Sequence, residues 1–228
     1  MIKAKIKNKE YNIKSSWNDL TYQDYINIVN SKENIDAVSI LSGIEVETLL
    51  KLDEQSLKNL SACISFIQEL EQEEVLGCLN IREQTFGQKI LLQEKLQIDN
   101  KEMIPAYALA IYEYNYEQLE ESFLEVLKMS FRDVYNRGMN YVNQLSEILK
   151  SESIHLKSTP NSEQRRAGID MFNEFGVMNT IDSLAGGDIL KYEQILKIDY
   201  NTVFIKQKML KFANQFQENY TKIMSNKR

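Results

Sequence analysis

The chain has 228 residues, 43% of them apolar, and a formal net charge of −6. That length supports one large domain or two small ones around a well-buried core, and the apolar share excludes intrinsic disorder, which needs low hydrophobicity. An acidic chain is not built as a whole to neutralise phosphates, and no apolar run reaches the roughly 20 residues that span a bilayer.

The first fourteen residues alternate polar and apolar positions in Lys3-Ala4-Lys5-Ile6-Lys7 and again in Glu10-Tyr11-Asn12-Ile13, with Asn8-Lys9 as a tight turn between them. This predicts a β-hairpin with Ile2, Ala4, Ile6, Tyr11 and Ile13 on one face. A lone hairpin is marginal in water. It must therefore dock on the helices of its own domain or add its edge to a neighbouring chain. The second option makes Ile6 and Tyr11 candidate interface residues. The basic start, Met1 to Lys5, is not followed by an apolar signal core. No secretory signal is expected, and synthesis and residence in the cytoplasm follow.

Thr21 is a good N-cap, Asp24 stands three residues on as a capping-box acid, and Leu20 with Tyr25 matches a hydrophobic staple. A helix carrying Tyr25, Ile28 and Val29 on one face should follow. Trp17, the single tryptophan, either plugs the joint between hairpin and helix or serves as an interface anchor. Between 36 and 70, Ala37, Ile40 and Leu41 have helical spacing and Gly43 supplies a C-cap. Glu45 to Leu52 adds a turn or two. Asp53 can cap a longer helix with Leu57, Leu60, Ile64, Ile67 and Leu70 along one side. Its acidic end, Glu69, Glu71, Glu73 and Glu74, is a solvated face or a dock for a basic partner.

Helix is again favoured from 84 to 150. Phe86, Ile90 and Leu91 repeat at helical spacing, and Pro105 suits a first turn ahead of Tyr107, Ala108, Ile111 and Tyr114. Leu119, Phe123, Val126 and Leu127 continue the pattern, Gly138 marks a break near 132–138, and Tyr141, Leu145, Ile148 and Leu149 form one more helix. Tyr107, Tyr112, Tyr114 and Tyr116 read as core and interface filler. Residues 151–163, serine-rich with Pro160, read as a linker. Beyond it, Ala167 to Phe175 should be helical up to Gly176. Thr180 to Ala185 adds a short helix, and Asp188 caps another from Ile189 to Leu196 after the Gly186-Gly187 break. The last helix, from about Thr202, carries Ile205, Met209, Phe212, Phe216, Tyr220 and Ile223 on one stripe, flanked by Val203 and Leu210. That stripe packs on its own domain or on a partner helix. The expected fold is mainly α: a helical bundle-like domain with a short N-terminal β-hairpin. The hairpin and main helical domain would fill 1–150, a linker 151–163, and a C-terminal helical region 164–228.

The residue inventory is poor in catalytic chemistry. Cys63 and Cys78 are the only cysteines and His155 the only histidine. Two distant cysteines and one histidine do not supply the roughly four ligands of a zinc site. Cys63 lies in an apolar run and reads as a small buried hydrophobe. Ala185-Gly186-Gly187-Asp188 lacks the lysine and spacing of a phosphate-cradling loop. No enzyme activity, cofactor or metal is expected, with only a carboxylate-based site left open by the missing motifs. Charge is segregated. Residues 1–14 hold five lysines and one glutamate, and 191–228 hold eight basic and three acidic residues, around an acidic middle. Opposite patches can meet across subunits in head-to-tail or ring packing. The alternatives are that both ends are solvated, or that the basic C-terminal tail meets nucleic acid.

Several of these segments occur together: the hairpin followed by Ser16-Trp17-Asn18-Asp19-Leu20-Thr21-Tyr22-Gln23-Asp24-Tyr25; Ile40-Leu41-Ser42-Gly43-Ile44; Thr85-Phe86-Gly87-Gln88-Lys89-Ile90; and Phe175-Gly176 ahead of Leu184-Ala185-Gly186-Gly187-Asp188. The layout, over most of the chain, resembles tail-region morphogenesis proteins of tailed bacteriophages, especially the crAss-like phages of gut bacteria. The resemblance implies a ring-forming virion subunit of the head–tail connector or tail, or alternatively a tail assembly chaperone that binds a tail protein transiently. It implies residence in the virion, and in host cytoplasm during assembly. Partners would be other phage structural proteins and further copies of the chain, with no membrane and no catalytic residues. The candidate contact residues are Ile6, Tyr11 and Trp17 at one end and Met209, Phe212, Phe216 and Tyr220 at the other.

Overall fold

The fold was obtained as a computed structural model, which describes residues 1–6, 9–68 and 78–225. It is mainly α with one N-terminal two-stranded antiparallel hairpin, as the patterning predicts. The chain forms two compact units. The first comprises Met1–Cys78 and Ile98–Val142, the second Leu79–Gln97 and Asn143–Arg228. The expected division at 150 and 164 differs because Leu79–Gln97 belongs with the C-terminal residues.

In the first unit β1 (Ile2–Ile6) pairs with β2 (Lys9–Ile13), Ile2 opposite Ile13 and Ala4 opposite Tyr11. The hairpin docks within its own unit: Ile13 is buried and the Lys14 amide donates to the Leu41 carbonyl at 2.8 Å. A 3-10 turn at Trp17–Asp19 leads into α1 (Tyr22–Val29). The capping box is formed, with the Asp24 amide donating to the Thr21 hydroxyl and the Thr21 amide to the Asp24 carboxylate. Next come α2 (Asn34–Ser42), closed by Gly43 at φ 66°, α3 (Val46–Leu49), and α4 (Glu54–Ile64), capped by Asp53. The acidic stretch from Glu69 to Glu74 lies outside the described residues.

The chain then supplies α5 (Phe86–Lys95) to the second unit and returns to the first with α6 (Ile104–Glu113), α7 (Leu119–Leu127) and the start of α8 (Phe131–His155). Pro105 occupies the first turn of α6, whose small and aliphatic residues from Ile104 to Ile111 are buried with the exception of Tyr107. Tyr107 stacks on Phe123 of α7 with centroids 4.0 Å apart. Gly138 does not break α8. It lies inside the helix because the Pro105 backbone passes against it, leaving no room for a Cβ.

α8 also runs through residues 151–155, the first part of the expected linker, so only 156–161 connect it to α9 (Ser162–Arg166). The second unit continues with a 3-10 helix at Ile169–Phe175, ending at Gly176 in the stretch expected to be helical, then α10 (Met178–Ala185), α11 (Tyr192–Leu196) and α12 (Tyr200–Ser225). Asp188 caps a 3-10 turn at Ile189–Lys191 ahead of α11. The Lys211 ammonium donates to the His155 and Lys157 carbonyls at 3.0 and 2.9 Å, satisfying acceptors left open past the end of α8.

One junction occurs in both units. In the first, Thr21 forms a single antiparallel bridge with Ser130: the Tyr22 amide donates to the Met129 carbonyl at 2.9 Å and the Phe131 amide to the Leu20 carbonyl at 2.8 Å. In the second, Thr85 bridges Asp199 in the same way, Phe86 to Ile198 and Tyr200 to Gln84, both at 2.8 Å. Each threonine also caps the helix it precedes through a capping box, with Asp24 or Gln88 at the third position. A short helix is thereby stapled to the first turn of a longer one, and the donors freed at both N-termini are satisfied together.

Candidate interaction surfaces

Trp17 is 7% exposed and lies inside the first unit. Its ring sits 4.7 Å from Phe131, 5.4 Å from Phe66 and 6.5 Å from Tyr25, centroid to centroid. Its candidacy as a contact residue is therefore corrected: burial among Phe131, Phe66 and Tyr25 leaves little of the ring for a partner. Ile6 and Tyr11 are half-buried, and the Lys9 ammonium lies 5.2 Å from the Tyr11 ring centre. The large apolar side chain left exposed among the hairpin's described residues is Ile2, at 44%.

The C-terminal candidates behave differently. α12 joins the core of the second unit through Tyr200, Val203 and Phe204. Beyond Phe204 its apolar stripe faces solvent: Met209, Phe212, Phe216 and Tyr220 are 60%, 60%, 68% and 50% exposed, with Ile205 and Ile223 on the same face. From Ile205 to Ile223 the stripe is about 27 Å long at 1.5 Å per residue. At about 200 Å² per ring, the three aromatic rings alone leave roughly 350 Å² open, already the size of the largest apolar patch on a typical monomer. Lys206 and Lys208 fall on either side of the stripe and Lys222 beside its far end, while Glu218, the one acid of this helix, falls away from it. Met171, Phe172 and Phe175 add a second exposed apolar group in the same unit.

A groove in the first unit went unread in the sequence. It has a volume of about 830 Å³ and is lined by Tyr114, Leu124 and Leu127 among polar residues that include Glu121 and Glu125. Leu124 is exposed at the middle of α7, with Glu120 and Glu121 one turn before it. The signal was present as a lone leucine on the charged face of an otherwise clean amphipathic helix.

The buried polar groups do structural work. In the second unit the Lys89 ammonium lies 3.0 Å from a Glu152 carboxylate oxygen and 3.0 Å from the Gln93 side-chain oxygen. The Tyr200 hydroxyl donates to the other Glu152 oxygen at 3.1 Å. Burial, with the Glu152 charge and hydrogen bond, pushes the Tyr200 hydroxyl far above its ordinary value, so it remains a donor. In the first unit Glu113 accepts from the Tyr141 hydroxyl at 2.7 Å and pairs with Arg137, which also reaches Asp133 at 3.1 Å. Among the described residues no group of three or more His, Cys, Asp or Glu side chains could hold a metal ion, and no helix is long and apolar enough to cross a membrane. His155, the sole histidine, is exposed beside Phe204.

Fold and surface together define a mainly α chain with an uncovered amphipathic helix. No family model matches this chain, and neither does a curated protein or a solved structure.

Proposed function

We propose that the chain is a bacteriophage virion structural protein of the head–tail connector or tail, assembling into a ring through contacts with copies of itself and other phage structural proteins. The observation that carries this reading is the stripe on α12. An apolar helix face some 27 Å long, left in water after the unit has buried its own core, is a surface that calls for a protein partner. The resemblance in layout supplies the setting, and the segregated charge supports packing between subunits. The activity is mechanical: docking and side-by-side packing, with residence in the virion after assembly in host cytoplasm.

Mass spectrometry of purified virions tests it. Peptides of this chain should appear at a constant ratio to the other tail proteins. Their absence, with the chain abundant in infected cells, would replace the structural reading with that of a tail assembly chaperone.

A further inference from the structure

The charge flanking the exposed stripe restricts what can cover it. α12 carries four lysines against one glutamate, so two such helices laid against each other would set like charges together. The stripe instead fits an apolar groove with an acidic rim. The first unit holds one. The segment from Asn115 to Lys128 carries Glu117, Glu120, Glu121 and Glu125 against Lys128 alone, and of these Glu121, Glu125 and Lys128 line the Tyr114–Leu124–Leu127 groove. Its exposed Tyr114 and Leu124 offer apolar contact to aromatic side chains such as Phe212 or Phe216.

We propose that α12 of one copy docks into the Tyr114–Leu124–Leu127 groove of a second copy, with Lys206 and Lys208 set against Glu121 and Glu125, the latter shared with its own Lys128 at 2.6 Å. The proposal rests on the assembly reading above and names the partner of that same surface. The contact is heterologous, because the two patches differ. Each copy therefore keeps one free stripe and one free groove, and repetition gives a ring where the rotation closes and a filament where it does not. Apolar side chains supply the affinity, while the lysine–glutamate pairs at the rim set register and are screened by salt.

Mixing two full-length variants tests this. Phe212→Asp with Phe216→Asp blocks the stripe, and Leu124→Asp blocks the groove. All three side chains are exposed, so both variants should keep the parent's helical content by circular dichroism. In sedimentation velocity the parent should associate beyond a dimer as concentration rises. Each variant alone should need at least a tenfold higher concentration to associate. An equimolar mixture should form a 1:1 dimer and nothing larger, because it retains one intact stripe and one intact groove. Glu121→Lys with Glu125→Lys should weaken association of the parent, and Lys206→Glu with Lys208→Glu on the other chain should restore it. The proposal is overturned if the parent remains a monomer, including one that instead binds anionic vesicles. It is equally overturned if Leu124→Asp associates like the parent, which marks self-pairing of α12, or if the two variants fail to pair. None of these outcomes depends on whether the chain is found in virions, so the two readings fail separately.

Discussion

Gly138→Ala separates two physical accounts of that glycine. If Gly138 only weakened α8, alanine would stabilise the helix by about 0.5–1 kcal/mol. In the structure a Cβ at this position would stand 2.6 Å from the Pro105 carbonyl carbon and 2.7 Å from its Cα, and closer still to the carbonyl oxygen. Favourable carbon–carbon contact lies near 3.5–4.0 Å, so α6 would have to retreat by about 1 Å. These are backbone atoms, and no change of rotamer relieves them. α6 is held by nearly continuous burial from Ile104 to Tyr112, which resists that shift. Overpacking of this kind costs about 1–3 kcal/mol, and the helix-propensity gain returns at most about 1. A clash with backbone atoms falls at the upper end of that range, so the expected net loss is about 2 kcal/mol, a fall in Tm of about 4–8 °C at 2–4 °C per kcal/mol for a chain of this length. Urea denaturation followed by circular dichroism gives the sign directly. An alanine variant as stable as the parent, or more so, would refute the close approach of α6 to α8.

Lys89→Met should cost about 3 kcal/mol, the lower end of the range for stranding a partner in a buried pair, because Glu152 keeps the Tyr200 hydroxyl and some solvent. Adding Glu152→Gln, which removes the stranded charge and keeps an acceptor for the Tyr200 hydroxyl, should recover most of that loss in the same urea titration; a double variant no better than the single would argue against the pair. Asp24 gives a pH signature. Burial raises its pKa, but hydrogen bonds from Lys14 and Thr21, with the Lys14 charge, outweigh burial and hold it below its ordinary value of 3.8. A depressed folded-state pKa contributes stability that is present above the unfolded-state value and lost as pH falls through the folded-state one. Stability of the parent should therefore decline below about pH 4, and Asp24→Asn should make that decline shallower. Identical slopes would show that the carboxylate is not held by Lys14 and Thr21.

Local chemistry was legible wherever it decided local structure. The Thr21–Asp24 capping box, Gly43 at a positive φ, Asp53 as N-cap and Pro105 in a first turn each follow from one residue's conformational preference, and each stands where the pattern put it. Gly138 shows the limit. A helix-interior glycine signals a break when read along the chain, and only the packing of α6 reveals that the missing Cβ admits a neighbour. Lys89 shows the same limit for charge. Its sequence neighbours suggest an exposed helix face, and the partner that permits burial, Glu152, is 63 residues away. The stripe on α12 was fully legible as periodicity, but periodicity could not say whether the unit itself covers it.

The two junctions also resemble each other in sequence. Val126-Leu127-Lys128-Met129-Ser130-Phe131-Arg132-Asp133-Val134-Tyr135 aligns with Ile195-Leu196-Lys197-Ile198-Asp199-Tyr200-Asn201-Thr202-Val203-Phe204, apolar against apolar, and both stretches turn the same corner into a long helix. The capped threonines lie 64 positions apart and their bridge partners 69, so no single shift superposes both halves of the junction, which hides the repeat from a linear reading. Extending the second register along the helices matches Ile223 with the apolar Ile154, while Ile205, Met209, Phe212, Phe216 and Tyr220 of α12 match Asn136, Asn140, Asn143, Glu147 and Ser151 of α8. One long helix of this pattern forms with polar side chains at those positions. The apolar residues at the matching places on α12 are thus not a requirement of the junction or of the helix it starts. They are left in water by the unit that carries them, which leaves them available for the contact proposed above.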